Sequence, residues 1–257
     1  MNRLILLLFS ISLMGCCAAP TLLKNGLTKS ATQIKEYTIL VNRDSIKGEI
    51  RDTVMVRMKL YNPNDQIIKL NQKTLFDNNK MEIDYQYNEF NKIKREVVKM
   101  ATNSLPFIVD YIYKDTLLYQ SRAIINYPNE KFEQIETHYY RKNNTKNKSV
   151  SSQIFIDLKS SDTIRNAIST TYFNKNEIAT KIEMIHQTDS KRNRKTVYKY
   201  DCQTLIGLKE FNGNDSLITS IKYKYDLDEF ENWISRRAYV KGELDKIITR
   251  EITYKQP

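Results

Sequence analysis

Residues 221–254 read IKYKYDLDEFENWISRRAYVKGELDKIITREITY, and this stretch decides the fold class. Its first run alternates Ile221, Tyr223 and Tyr225 with charged residues, and its last run ends at Tyr254. Successive side chains of a β-strand point to opposite faces of a sheet, so a period of two predicts strands with one packed face. Turn-forming residues separate the runs, which predicts consecutive antiparallel hairpins.

The same alternation recurs along the chain. It is found at residues 54–60, 81–87, 154–158 and 178–184. Turn signals lie between the runs, at residues 62–65, 77–79, 212–215 and 241–242. Because these spacings leave no room for a long helix, the sequence predicts an all-β protein.

Aromatic residues close the runs at a regular interval. Tyr61, Tyr87 and Tyr113 are each 26 residues apart. Phe173, Tyr200, Tyr225 and Tyr254 follow at intervals of 27, 25 and 29. About 26 residues hold two strands and two turns, so we predict an antiparallel meander of hairpin repeats that forms an open or curled sheet. The tyrosines are interpreted as an aromatic packing ladder on one face, with a glycan- or peptide-binding platform as the alternative.

The last unit resembles the YD-repeat, or RHS-like, hairpins of bacterial cell-envelope and surface proteins. The family pattern has Tyr-x-Tyr-Asp, then Gly-Asn-Trp or Gly-Asn-Leu, then an Arg. Its matches here are Tyr223-Lys224-Tyr225-Asp226 with Asn232-Trp233, the opening Tyr198-Lys199-Tyr200-Asp201, and more loosely Tyr85-Gln86-Tyr87-Asn88 with Asn91, Ile93 and Arg95. Glu231 and Phe90 stand where the family has the turn Gly. The resemblance covers about 195–257 well, and it implies a fold and no activity.

The start of the chain has the features of an export signal. A short basic segment precedes about ten mostly apolar residues, too few to span a bilayer as a mature helix. Leu13-Met14-Gly15-Cys16 then resembles the lipobox of bacterial lipoproteins. That resemblance implies that Cys16 receives a diacylglycerol and becomes the new N-terminus. The alternative is a plain signal peptide cut after Ala18 or Ala19.

These features divide the chain into three parts. Residues 1–15 are predicted to be the signal peptide, 16–45 the lipid anchor and tether with one strand at most, and 46–257 the meander, divided into two lobes at the polar loop 141–152. By resemblance to lipoprotein sorting rules, the absence of Asp after Cys16 favours an outer-membrane anchor facing the periplasm.

Composition limits the partners. The apolar fraction of 40% and the charged fraction of 28% are ordinary for a globular chain and wrong for a polytopic membrane protein. The net charge is +11, and removal of residues 1–15 leaves it basic. Because Lys and Arg are spread along every segment, solvated strand faces are favoured over nucleic-acid binding. The partners expected are the lipid bilayer, through acylated Cys16, and an envelope protein or glycan.

The sequence offers little material for catalysis. His138 and His186 are far apart and have no metal-ligand spacing around them, so both are interpreted as surface or sheet positions. The acidic cluster 226–231 lacks the pattern of a calcium loop and is interpreted as a solvated turn. Cys202 is expected to be unpaired. We predict no enzyme, no metal and no cofactor, with a hydrolase as a residual possibility.

Two functions are consistent with these features. The first is a membrane-anchored, non-enzymatic lipoprotein that serves as a binding or interaction scaffold, docking partners on exposed sheet edges. The alternative is a periplasmic carrier or assembly factor that holds an apolar ligand in a curled sheet.

The lipoprotein prediction is tested by replacing Cys16→Ala. We expect the variant to lose metabolic fatty-acid labelling and membrane association, because the thiol that carries the acyl chains is gone. Cys17→Ala, one residue further along, is the matched control and should keep both. A Cys16→Ala protein that remains labelled and membrane-bound would contradict the prediction.

Overall fold

The computed structural model describes Leu27 and residues 29–44, 48–102, 105–127 and 129–256. It consists of sixteen antiparallel strands and one short 3-10 helix, Ser190–Arg192. The strands are β1 Ala31–Asp44, β2 Gly48–Tyr61, β3 Ile67–Thr74, β4 Lys80–Tyr87, β5 Ile93–Met100, β6 Phe107–Lys114, β7 Leu117–Asn126, β8 Glu130–Tyr140, β9 Lys146–Asp157, β10 Thr163–Phe173, β11 Ala179–His186, β12 Arg194–Asp201, β13 Thr204–Asn212, β14 Leu217–Leu227, β15 Trp233–Val240 and β16 Glu243–Tyr254. Among these residues, no helix is long and apolar enough to cross a bilayer.

The strands follow chain order and close into a barrel. Each pairs with the next, and β1 pairs with β16, so that Ile34 lies opposite Ile252 and Glu36 lies opposite Arg250. The predicted all-β antiparallel meander is confirmed. The predicted open or curled sheet is wrong, because β1 pairs with both β2 and β16 and leaves no free edge.

The structure bears on two of the predicted parts of the chain. β1 lies within the predicted segment 16–45, for which one strand was expected at most, and it is a full member of the barrel wall. The polar stretch 141–152, expected as a loop dividing two lobes, holds a short turn, and β9 then pairs with both β8 and β10. The Ser, Asn and Lys residues of this stretch have the composition of a loop. They nevertheless form a strand, because β8 and β10 pair with its backbone on both sides. Residues 1–26, with the predicted signal peptide and Cys16, lie outside the described residues.

The turn of the last repeat shows how the chain turns without the glycine of the family pattern. Asp228 Oδ1 accepts hydrogen bonds from the backbone amides of Phe230 and Asn232, and Glu231 holds the left-handed conformation with φ of 60°. In the early unit the left-handed residue is Asn91, with φ of 57°, rather than Phe90. An Asx-type turn therefore forms without glycine at either position.

The register assigns each residue to one of two faces. Glu36, Val98 and Ser149 are all less than 9% exposed and belong to one face, which is the inner face. On the other face, the side chains of Lys99 and Arg122 are 55% and 49% exposed. In β4 and β14 the outer face is the charged half of the predicted alternation, and the inner face is the aromatic and aliphatic half. In β2 and β9 the two halves are reversed, since Val56, Met58 and Ile154 face outwards.

The inner face encloses a lumen rather than a packed core. Most inner-face side chains of the described residues are half-buried, whereas the side chains of a packed interior would be nearly inaccessible to solvent. Extensive contacts between strands join only neighbours in the wall. Barrels of sixteen strands are wide enough to leave an aqueous channel. The lumen is therefore open to water.

A ring of aromatic residues marks one end of the barrel, which we call the tyrosine rim. Each even-numbered strand contributes one aromatic residue near its end. The ring consists of Tyr61, Tyr87, Tyr113, Tyr140, Phe173, Tyr200, Tyr225 and Tyr254. A register shift also occurs beside the rim in all eight strand pairs that meet there. Such bulges increase local twist and help a sheet to close.

The hydroxyls of the ring hold neighbouring strands together. Tyr87, Tyr113 and Tyr225 donate hydrogen bonds of 2.7–2.8 Å to the carbonyls of Ile67, Ile93 and Leu205. Tyr140 does the same to the carbonyl of Leu118 at 2.8 Å. Each bond joins the end of one strand to the start of the strand before it, 20 to 22 residues earlier in the chain. These contacts favour the interpretation of the rim tyrosines as a structural ladder.

The ladder predicts a stability difference between two tyrosines. Tyr113→Phe removes the bond to the Ile93 carbonyl and should lower the free energy of unfolding by about 1 kcal/mol. Tyr139→Phe, on the exposed outer face, is the control and should change it by less than about 0.5 kcal/mol. Urea denaturation measures both, and equal effects would contradict a structural role for the rim hydroxyls.

Candidate functional site

The candidate site is the lumen, and its first feature is a second tier of tyrosines. Tyr85, Tyr111, Tyr198 and Tyr223 each lie two residues before a ring tyrosine and therefore on the same inner face. All four are half-buried. Aromatic rings in a water-filled cavity provide large apolar contact areas with a polar tip. The Tyr-x-Tyr motif of the sequence thus lines the lumen in two tiers.

Aliphatic and phenyl groups line the wall further from the tyrosine rim. Phe132 and Phe155 face each other across β8 and β9 with ring centroids 4.7 Å apart. The inner face also includes Leu70, Ile83, Val98, Val109, Ile125, Ile182, Leu208 and Ile221. Strands β8 and β9 also place polar side chains, including His138, Ser149 and Ser151, on the inner face. Apolar surface next to polar groups is typical of a small-molecule site.

A charged cluster interrupts this wall where the barrel closes. Glu36 accepts a 2.8 Å hydrogen bond from Arg250 and lies 3.3 Å from the ammonium of Lys59. Arg57 lies 3.9 Å from the same carboxylate and also donates to Gln72. The Glu36 side chain is 9% exposed and that of Arg250 is 14% exposed. Three strands that meet at the seam, β16, β1 and β2, supply these groups.

Aromatic rings extend the cluster along β14 and β15. The Arg250 guanidinium lies 3.2 Å from the ring centroid of Trp233. Arg236 lies 5.3 Å from the rings of both Trp233 and Tyr223. We call Arg57, Lys59, Arg236 and Arg250 the cationic patch. Guanidinium groups stacked on rings are stabilised without the need for a carboxylate partner.

Burial and the shared carboxylate shift the titration of the cluster. Burial lowers the pKa of Lys59 and of Arg250, and the charge of Glu36 only partly offsets this. Burial alone would raise the pKa of Glu36, but Lys59 and Arg250 outweigh it and hold that pKa below its ordinary value. Burial also raises the pKa of Tyr61, beside the cluster, to about 12.

An acidic patch lies on a different part of the inner wall. Tyr111 donates a 2.8 Å hydrogen bond to Glu96, and burial raises the pKa of that carboxyl. His138 is 7% exposed, lies 3.9 Å from Glu136, and has neither ring nitrogen hydrogen-bonded within the described residues. Burial lowers the pKa of His138. The lumen therefore has cationic and acidic sides.

Two cavities lined by described residues bear on the site. One, of 370 Å³, lies at the tyrosine rim and is lined by Lys59, Tyr61 and Tyr87 together with turn residues. A larger one, of 680 Å³, is lined mainly by outer-face residues of β2–β5, including Val56 and Met58. Of the cationic patch, Lys59 lines the rim cavity.

Paired charges stand at mid-strand on the outer face. Lys69 is 2.9 Å from Glu82, Arg122 is 2.7 Å from Glu133, and Arg95 and Asp110 form a similar pair. A lipid-facing barrel surface is an apolar band, on which a mid-plane Lys or Arg costs about 2–4 kcal/mol. These pairs suit contact with water, and aliphatic side chains such as Ile108, Ile112 and Ile185 lie on the same outer face.

The structure does not bring the cysteines and histidines considered in the sequence analysis together in one site. Cys16 lies outside the described residues, and Cys202, expected to be unpaired, is disulfide-bonded. His138 and His186 lie on β8 and β11, which are not neighbours. Within the described ranges, no group of three or more His, Cys, Asp or Glu residues is placed to hold a metal ion.

The residues of the cationic patch were missed from sequence. Arg57 and Lys59 occur in a recognised alternating run, but as its polar half, which was assigned to solvent. A signal was present, since Met55, Arg57 and Lys59 share one face with Tyr61. Nothing local indicates that β1 and β16 meet.

The barrel is similar to two solved structures, each described as a porin-like protein. The structure from Bacteroides vulgatus ATCC 8482 has a TM-score of 0.53 and 10% identity, over 89% of this chain and 100% of that chain. The structure from Bacteroides uniformis ATCC 8492 has the same TM-score and identity, over 86% and 97%. No family model and no curated protein matches the sequence. At this identity the likeness shows the fold alone.

The acidic patch predicts a pH dependence of stability. Because the folded state holds the Glu96 proton more tightly than the unfolded chain, unfolding free energy should fall as pH rises above 4.5, the ordinary pKa of Glu. Glu96→Gln removes the ionisable group, so the variant should have a higher free energy of unfolding than the parent at pH 7. The difference between the two should become smaller as the pH is lowered.

Glu133→Gln is the control with the opposite sign. The hydrogen bond from Arg122 lowers the pKa of Glu133, so its ionised form stabilises the fold above the ordinary pKa, and this is lost as pH falls through the lowered value. This variant should be less stable than the parent at pH 7. Urea midpoints at pH 4 and pH 7 measure both, and matching signs would contradict the assignment.

Proposed function

We propose that this protein is a non-enzymatic binding protein that carries an apolar or amphipathic ligand in the lumen of its barrel. The observation that supports this best is the water-accessible inner wall of tyrosines, phenylalanines and aliphatic residues. A fold that needed only stability would pack such groups against each other. Here they face an open space, as the lining of a ligand site does.

The two faces of the wall support a carrier in water. The outer face carries charged pairs at mid-strand, and the two tiers of tyrosines with Phe132 and Phe155 line the lumen. Such pairs disfavour contact with lipid at their positions, while aliphatic residues such as Ile112 and Ile185 also lie on the outer face. Docking of a partner on a sheet edge has less support, since every described strand is paired on both sides.

We further propose that the carrier is held at a membrane by acylated Cys16, with the outer membrane facing the periplasm as its location. The lipobox-like Leu13-Met14-Gly15-Cys16 supports the anchor. Leu27 is buried against Ala31 and Ile34 at the tyrosine rim. Leu27, the first residue that the structure describes, therefore lies at that rim.

The lumen proposal is tested with phenylnaphthylamine, an uncharged dye whose fluorescence rises in apolar surroundings. We expect saturable binding together with quenching of the intrinsic tryptophan emission, because the single Trp of the chain, Trp233, lies on the inner face. Trp233→Phe should keep the dye signal and lose the energy transfer. Absence of saturable dye binding would overturn the proposal.

Two tyrosines of neighbouring strands provide the matched pair. Tyr223→Ala shortens the inner wall and should weaken dye binding about three- to tenfold, the effect of roughly 1 kcal/mol of lost apolar contact. Tyr239→Ala, on the outer face, should leave the affinity unchanged. Equal losses in the two variants, both verified as folded by circular dichroism, would place the dye outside the lumen.

A further inference from the structure

We infer that the ligand is an anionic amphiphile whose acidic head group is bound by Arg57, Lys59 and Arg250. This rests on the proposed function of the lumen and specifies the chemical class of its ligand. The shared chemistry is a carboxylate, sulfonate or phosphate on an apolar body.

The first support is a charge imbalance inside the barrel. The cationic patch has four positive charges, and in the described part of the chain Glu36 is the only carboxylate that forms an ion pair with any of them. The patch therefore has an excess of three positive charges. Water in the lumen and the stacked rings tolerate this excess, and the field of the unbalanced cations attracts an anion. An anion in the lumen would supply a counter-charge.

The second support is access. Lys59 lines the 370 Å³ cavity at the tyrosine rim. Asp65, the carboxylate in that cavity, already pairs with Lys255 at 2.8 Å and accepts a hydrogen bond from Ser30. Asp65 is thus occupied and does not neutralise Lys59. A head group that enters from the rim meets the ammonium of Lys59 first.

The third support is the chemistry of the groups themselves. Guanidinium groups provide planar, paired donors that match the oxygens of carboxylates and phosphates. The Glu36 carboxylate orients Arg250, and Gln72 orients Arg57. Both donors are therefore held before a ligand arrives, which reduces the entropic cost of binding.

The fourth support is the apolar surface next to the charges. Ile34, almost fully buried, lies on the inner face with Tyr61 and Ile252 packed against it. Trp233 lies against Arg250 from the other side. A ligand with its acidic group at the patch would place its body along Tyr61, Trp233 and Ile252, which are only half-buried. Head group and body thus have adjacent and different surroundings.

The experiment compares two dyes that share a skeleton, using the full chain. Phenylnaphthylamine is neutral, and anilinonaphthalene sulfonate adds one sulfonate. We expect the sulfonate to bind about tenfold more tightly, as an additional charge-assisted interaction predicts. Dodecanoate and dodecyl phosphate, added as competitors, should both displace it, and dodecyltrimethylammonium should not.

Substitutions in the cationic patch distinguish binding of the acidic head group from binding of the apolar body. Lys59→Met should weaken sulfonate binding about tenfold without changing binding of the neutral dye, and Arg57→Gln should act in the same direction. Lys99→Met is the matched control, because Lys99 also pairs with acidic residues but lies on the outer face. Thermal melting confirms that each variant is folded.

The outcomes distinguish the two proposals. If neither dye binds, the lumen is not a ligand site and the proposed function fails. If both dyes bind with equal affinity, or if Lys59→Met weakens both equally, the lumen site survives and the anionic head group is wrong. Selective loss of the sulfonate in Lys59→Met, with none in Lys99→Met, supports the inference.

Discussion

The pairing of β1 with β16 is the contact on which the rest of the structure depends. It joins residues more than 200 positions apart, as in the bond between Glu36 and Arg250. Without it the meander would end in two strands with unpaired backbone groups, which invite association with other chains. With it, every described strand has two neighbours, and the sheet acquires an inside and an outside.

Closure also explains why charges occur in the interior. The inner residues of the seam come from β16, β1 and β2, and they include the Glu36 carboxylate and the cations Arg250, Lys59 and Arg57. In a packed core these groups would be difficult to solvate. A lumen open to water tolerates them, and it makes their charge available to a ligand. The same space leaves the tyrosines half-exposed, while the rim hydroxyls stay bonded to the wall.

Much of the wall could be predicted from sequence, because strand alternation and aromatic spacing are local. Tyr140 also belongs to the ring and follows Tyr113 by 27 residues, but it was missed from the sequence. The strands β9 and β10 are long, so the next ring residue, Phe173, comes 33 residues later and the regular spacing is interrupted. Closure could not be predicted, since the partner of β1 lies at the far end of the chain. Which face is inside also depends on closure, so the polar residues Arg57 and Lys59 were assigned to solvent.

The seam also determines when folding can finish. Each strand between β1 and β16 pairs with the strands before and after it in the chain, and such local contacts form early. β1 obtains its second neighbour only when the last twelve-residue strand, β16, is present. In a chain that is made or exported from its N-terminus, the backbone groups of β1 on the side of β16 therefore stay unpaired until the C-terminal residues are present. Loss of the final strand would leave the first one exposed, and such edges drive aggregation.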